Sequence, residues 1–341
     1  MTTTTSSMIR MGSTTYSFND EYHSYECSLE GLFEKIGELG PKQGIELIGP
    51  QCIRTFPEVS EEFERIFKRS VERYNLVPSA FGHYSDMSRI TGRDLTQDEM
   101  LEYSRMQLEG AKRLGFTLAR LSYFSFDVED RSKTLYRLLL PDAERLGIRL
   151  AIEIHCPHII ESAGQQRVIE DILKLNSPYV GFTLDCGTMT ARMSPVCIQK
   201  FLDLGLSSKI VNRIVEMWTQ RFSRAEIEAE VQAMGGGELG QLLAIESQIY
   251  FGHGEPAAML DIMPVLFHVH GKFYNVDKSG NDDTVRYPEI IDTLVRGGYK
   301  GWISSEYEGH HWLKDRNAFG QVKAHQQLLM RLISESEARF K

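Results

Sequence analysis

Ala143-Glu-Arg-Leu-Gly147 runs straight into Ile148-Arg-Leu-Ala-Ile-Glu153. The first piece reads as a helix end, with a basic last turn and a glycine just past it. The second reads as a buried strand that stops on a carboxylate. The same grammar stands upstream, where Ala111-Lys-Arg-Leu-Gly115 precedes Phe116-Thr-Leu-Ala-Arg-Leu121. It stands again downstream, where Arg296-Gly-Gly-Tyr-Lys-Gly301 precedes Trp302. A helix start is equally readable. Thr96-Gln-Asp-Glu99 is a capping box, with Leu95 and Met100 placed as a hydrophobic staple.

Extended outward, this alternation predicts strands near 9–17, 44–48, 76–82, 117–122, 149–154, 180–185, 264–270 and 301–306. Helical periodicity fills 29–39, 59–74, 97–114, 132–146, 165–175, 287–297 and 317–338. Strands separated by helices pair in parallel through right-handed crossovers. The expected fold is α/β, a single (β/α)8 TIM barrel spanning 1–341. The stretch 187–262, between strands six and seven, is far longer than one crossover helix needs. It is expected as a helical insertion over 195–205, 208–221 and 223–234 that breaks at Gly235-Gly-Gly237, serving as a lid or a subunit interface.

The composition, 42% hydrophobic and 25% charged over 341 residues, is that of a globular chain. A net charge of -9, spread rather than blocked, argues against a nucleic-acid partner and for a small ligand. The N-terminus Met1-Thr-Thr-Thr-Thr-Ser-Ser7 has no apolar core of a secretory signal. No apolar run approaches the ~18 residues of a membrane span, so no membrane partner is expected. Cys27, Cys52, Cys156, Cys186 and Cys197 lack C-x-x-C spacing and are expected as free thiols in a cytoplasmic protein.

Four strand ends carry the chemistry. Leu150-Ala-Ile-Glu153, Val180-Gly-Phe-Thr-Leu-Asp185, Val265-Leu-Phe-His-Val-His270 and Trp302-Ile-Ser-Ser-Glu306 each close on a metal-binding side chain. A parallel barrel delivers all four ends to one face. Three carboxylates and an imidazole suit a hard divalent cation, Mn²⁺ first, with Mg²⁺ or Co²⁺ possible. Metal ligands are therefore expected at Glu153, Asp185, His270 and Glu306. His268, two residues before His270, is expected one layer lower.

His155 shares the inward side with Glu153, at the strand mouth. It suits a general base, or equally a group that orients Glu153. Lys272 also faces inward, to polarise a substrate oxygen or to pair with Glu306 or Glu308. Candidate substrate contacts are His83, His158, Tyr274, Glu308, His310 and Trp312, each of which could instead be structural. No Walker loop, dinucleotide fingerprint, H-E-x-x-H or G-x-S-x-G motif is present.

At these residues the sequence resembles the xylose-isomerase-like sugar isomerase/epimerase superfamily. The likeness covers roughly 9–190 and 263–335, and His268-Val-His-Gly-Lys272 is similar to its H-x-H-x-K segment. There are departures. Cys156-Pro-His-Ile-Ile160 lacks the second carboxylate of the ketose 3-epimerases. Thr188 stands where they place a histidine, and Lys272-Phe-Tyr-Asn275 lacks an aspartate. Glu153-Ile-His155, the helical insertion and His310-His-Trp312 are most similar to the alpha subunits of bacterial C-glycoside deglycosidases. That resemblance implies an oligomer with a small beta subunit and a keto-sugar substrate, a 3-oxo-C-glucoside. It implies a lyase that enolises and eliminates the aglycone. A ketose isomerase or 3-epimerase, an inosose dehydratase and a non-catalytic sugar-binding scaffold remain as alternatives.

Overall fold

The lumen of the molecule is polar above and apolar below, and the strand register explains why. The computed structural model describes residues 9–85, 93, 95–122, 131–314 and 317–340; the N-terminal stretch 1–7 lies outside them. Eight parallel strands close into a barrel in chain order. They are β1 (Arg10–Thr14), β2 (Gly44–Ile48), β3 (Val77–Tyr84), β4 (Leu118–Ser122), β5 (Arg149–Ile154), β6 (Val180–Asp185), β7 (Leu266–Phe273) and β8 (Trp302–Tyr307). The expected (β/α)8 architecture is present, with two trims. Residues 15–18 leave β1 as a 3-10 turn, and 263–265 form another before β7.

The punctuation behaves as its chemistry requires. Gly115 and Gly147 take φ of 90° and 67°, which a side chain would resist, and so end their helices. Thr96 and Glu99 form the capping box reciprocally. Among the described residues no helix is long and apolar enough to cross a membrane. All five cysteines are free.

The insertion departs from expectation at its glycines. Helices Pro195–Asp203, Ser208–Thr219 and Arg224–Ala233 are followed by a further helix, Gly237–Ile249. Gly235 and Gly237 take positive φ, so the triplet is a turn between two helices, not the end of helical structure.

Paired residues on neighbouring parallel strands point the same way, so register assigns faces. Glu46 pairs with Thr14, Arg120 with Gly82, Glu153 with Thr183, Asp185 with His270 and Lys272 with Glu306. These residues line the lumen. Below them, Ala80, Leu118 and Ala151 form an apolar layer with Phe267. An irregularity between β6 and β7 gives β7 one extra residue, which turns the Phe267 ring inward beside His268. Trp302 completes the floor. Its ring fits because Gly44 has no side chain: a Cβ there would lie 2.6 Å from Trp302 Cε3.

Gly44→Ala is therefore expected to lower stability by about 1–3 kcal/mol through overpacking. The check is the urea midpoint; an unchanged midpoint would mean the ring is not held as described.

Candidate metal centre

Arg120 organises the lumen. It is 2% exposed and extends its guanidinium from β4 toward β2 and β3 on one side and β5 on the other. Nε donates to Glu46 Oε1 at 2.9 Å, Nη1 to Glu153 Oε2 at 3.0 Å and Nη2 to the Tyr84 hydroxyl at 2.8 Å. Ser122 Oγ adds a second donor to Glu153 Oε2 at 3.0 Å. One oxygen of each carboxylate is thereby engaged, and the other turns toward the strand-end residues.

The second oxygen of Glu46 receives two imidazoles. His270 Nε2 lies 2.8 Å from Oε2 and His268 Nε2 3.2 Å. Burial would push the Glu46 carboxyl up, but His270 and Arg120 outweigh it and hold the group well below the usual carboxylate range. An ionised carboxylate only accepts, so His270 Nε2 carries a proton and Nδ1 faces the centre. Nδ1 stands 2.9 Å from Glu153 Oε1 and 3.3 Å from Glu306 Oε2. Asp185, Glu153 and His270 offer ligand atoms within 4.8 Å of one another. Ligands on one octahedral cation at about 2.1 Å stand about 3 Å apart, so this spacing fits a shared ion.

Two further observations test that fit. His270 Nδ1, Asp185 Oδ2 and Glu306 Oε2 are buried, and none has a hydrogen bond of acceptable geometry. Charge gives the second. Glu46, Glu153, Asp185, Glu306 and Glu308 are buried carboxylates. Among the described residues Arg120 and Lys272 are the only buried arginine and lysine side chains beside them. Burial drives the His270 imidazole toward neutrality, yet Glu306, Glu46 and Glu153 overcome it and raise the group well above its ordinary value. Burial likewise pushes the Asp185 carboxyl up, with Lys272 only partly offsetting it. The donor set calls for positive charge between these residues, and a divalent cation is the chemistry that fits.

Above the four strand-end residues sits an imidazole–ammonium pair. His155 Nδ1 is 2.7 Å from its neighbour's carbonyl, Cys156 O, which only accepts. In the neutral ring the proton is thus on Nδ1, and Nε2 points into the well. Lys272 Nζ donates to that Nε2 at 2.8 Å. The same ammonium touches Asp185 Oδ2 at 2.7 Å, Glu308 Oε1 at 3.1 Å and Glu306 Oε2 at 3.7 Å. Burial opposes its charge, but these carboxylates, Asp185 first, raise the lysine well above its ordinary value. Gly187 makes room for the stem: a Cβ there would lie 2.6 Å from Lys272 Cδ.

The rim candidates divide. Glu308 is buried and bridges Lys272 to Tyr16 and His311. Its Oε2 lies 3.0 Å from the Tyr16 hydroxyl and 2.9 Å from His311 Nε2. His310 packs edge-on to Tyr16 at 5.2 Å between ring centroids. His158 is exposed on the turn after β5, where its N–H donates to the His155 carbonyl at 2.9 Å.

Three candidates are corrected. His83 lies between the inward Gly82 and Tyr84, so its ring faces the helical layer and is wholly buried. Desolvation pulls it down to about 3. Trp312 is 5% exposed, donates from Nε1 to Glu246 Oε2 at 2.9 Å and stacks on Phe251. It fastens the insertion to the barrel and presents no open face to a sugar. Tyr274 is fully buried, its hydroxyl donating to the Tyr250 carbonyl. The sequence reading omitted Glu46, Arg120, Tyr84 and Tyr16, which the fold brings to the same well.

Residues 33–332 match the family described as xylose isomerase-like TIM barrel. The chain belongs to that family. It is 33% identical to the 3'-dehydrocarminate deglycosidase alpha subunit of Microbacterium sp, with 96% of this chain and 97% of that protein covered. It is 32% identical to a C-glycoside deglycosidase alpha subunit of Arthrobacter globiformis, covering 96% and 93% respectively. Among solved structures, D-psicose 3-epimerase with D-tagatose from Clostridium cellulolyticum H10 shares the fold, with a TM-score of 0.59 at 13% identity. That match covers 95% of this chain and 99% of the epimerase. These relatives of the xylose isomerase-like barrel are enzymes, and the chain is an enzyme of the same family.

Glu46 holds His270 from behind, as outer carboxylates do for metal-bound histidines. Glu46→Gln is expected to weaken Mn²⁺ binding by about 10–100-fold without abolishing it. Calorimetric titration of the metal-stripped protein checks this; unchanged affinity would mean Glu46 does not orient the ligand.

Proposed function

We propose that this chain is the alpha subunit of a divalent-metal-dependent lyase that cleaves the C-glycosidic bond of 3-oxo-C-glucosides. Glu153, Asp185, His270 and Glu306 hold the cation, Mn²⁺ by preference. The observation that carries the proposal is the turned-in Nε2 of His155, paired at 2.8 Å with Lys272 directly above those ligands. The full-length likeness to deglycosidase alpha subunits supports the same reading.

A cation held there would supply Lewis acidity toward the substrate's ketone. The chain's own residues do the rest. When substrate draws the Lys272 N–H onto one of its own oxygens, His155 Nε2 is freed to take the proton from C2, acidified by the adjacent ketone. The electron pair left at C2 forms a double bond to C1 as the C1–aglycone bond breaks, and the aglycone carbon leaves with that bond's electron pair and takes back the proton held by His155. Lys272 stays charged among Asp185, Glu308 and Glu306, and its N–H groups orient His155 and stabilise negative charge on the sugar. Glu308, Tyr16 and His311 form a hydrogen-bonded wall on the far side, suited to sugar hydroxyls.

Epimerisation would share the first step and then return a proton from the opposite face. That demands a second base. The turn after Glu153 supplies Cys156, Pro157 and His158 instead of a carboxylate, which favours elimination. The insertion, with exposed Leu204 and Leu242, is proposed as a lid or as the face that receives a small beta subunit.

Incubated with a 3-oxo-C-glucoside, the chain with its beta subunit should release aglycone with Mn²⁺ and not after chelation. Conversion of D-fructose to its 3-epimer without aglycone release would replace the lyase reading with the epimerase one. His155→Ala should slow solvent-deuterium exchange at C2 by about 10²–10⁴-fold while Mn²⁺ content stays at the parent value. Exchange at the parent rate would place the base elsewhere.

A further inference from the structure

The barrel has a second concavity at its opposite, N-terminal end. It encloses about 730 Å³, a volume typical of small-molecule sites. Trp302, Phe267 and Leu118, the residues that floor the lumen, line it from above. The two concavities therefore stand back to back, separated by one apolar layer.

Its charge contrasts with the rest of the protein. The chain carries a net -9, yet among the described residues no acidic side chain lines this cavity. Arg10, Arg149 and Lys300 do. Several surface arginines elsewhere are matched, Arg69 with Glu30, Arg113 with Glu64 and Arg145 with Glu109, while Arg73 and Arg296 sit over rings. Among the described residues, neither Arg10 nor Arg149 meets a carboxylate. Each sits instead over a ring, Arg10 Cζ 4.3 Å from the centroid of Trp302 and Arg149 Cζ 4.7 Å from that of Phe267. Ring contact fixes a guanidinium by its face and leaves its N–H edges to donate. Arg10 makes one long contact of this kind, 3.5 Å to the Lys300 carbonyl. Ser79 lines the same cavity, and its buried Oγ has no hydrogen-bond partner.

Two held guanidiniums, a nearby ammonium and an unspent hydroxyl form a cationic donor set with no carboxylate among the described lining residues. The walls between them are apolar: Leu118, Leu266, Phe267 and Met263. We propose that this cavity binds a small organic anion. Its head is an oxyanion, phosphate, sulfonate or carboxylate, received by Arg10, Arg149 and Ser79. Its body is flat and apolar and lies against Phe267 and Leu118. The site is independent of the metal centre, because the Trp302–Phe267 layer lies between them, and both can be filled together.

The probes are phenyl phosphate and inorganic phosphate, titrated calorimetrically into the full-length, Mn²⁺-loaded protein. Phenyl phosphate is expected to bind once per chain, about tenfold or more tighter than inorganic phosphate because its ring buries apolar surface. Arg149→Gln and Arg10→Gln should each weaken it by about tenfold or more, since each removes a charge-assisted donor. Both side chains reach solvent, so the variants should melt as the parent does in the absence of probe. Lys300→Gln, at an exposed lining charge, gives a further variant, expected to weaken binding less. Phenyl phosphate should raise the melting temperature of the parent more than that of either arginine variant. Removing Mn²⁺ on a chelating resin should leave the affinity unchanged. No saturable binding up to about 10 mM overturns the proposal. So does equal affinity in parent and arginine variants, or binding that disappears with the metal.

Discussion

Among the described residues, the lumen of this barrel buries more carboxylates than lysines and arginines, and the surrounding structure is arranged to make that tolerable. An isolated carboxylate in such a place would take a proton. Arg120 prevents this for two of them by meeting Glu46 and Glu153 with separate edges of one rigid fork. It also decides which oxygen of each carboxylate is free. The geometry of the strand-end carboxylates is thus set one layer beneath them, by a residue buried in the lumen. Lys272 plays the corresponding part higher up, between Asp185 and Glu308.

Such a cluster needs a dry foundation. The apolar floor of Ala80, Leu118, Ala151, Phe267 and Trp302 keeps bulk water from entering from below. Low polarizability under the charged layer strengthens each ion pair above it. The floor in turn depends on details of the backbone. An extra residue in β7 swings Phe267 inward, and the missing side chain of Gly44 admits the indole. Packing, hydrogen bonding and charge are therefore successive layers of one arrangement.

Much of this was legible in the sequence. Glycine-ended helices followed by apolar runs located β4, β5 and β8, the alternation of strand and helix placed the others, and the acidic or imidazole endings of four strands located one face. What escaped notice was mid-strand. Glu46 and Arg120 stand inside Gly44-Ile-Glu-Leu-Ile48 and Leu118-Ala-Arg-Leu-Ser122, each a charge between apolar neighbours. That pattern signals an inward-facing pair, but the partners are 74 residues apart, and only barrel closure shows that they meet. His83 misled for a reason of parity: one position along the strand reverses the face. Trp312 misled because an aromatic near a strand end suits either a sugar or an inserted helix. The choice lay with Glu246, in a helix that the glycine triplet concealed.

The Trp302–Phe267 floor also governs traffic. Among the described residues, a well stoppered at its lower end opens at the strand-end face, so whatever enters must leave the way it came. For the cleavage proposed above, the fragments would have to queue. The piece nearer the opening departs first, and the piece seated against the ligands waits behind it. If the insertion serves as the lid proposed above, the helices that Trp312 fastens beside that doorway would set the tempo of release.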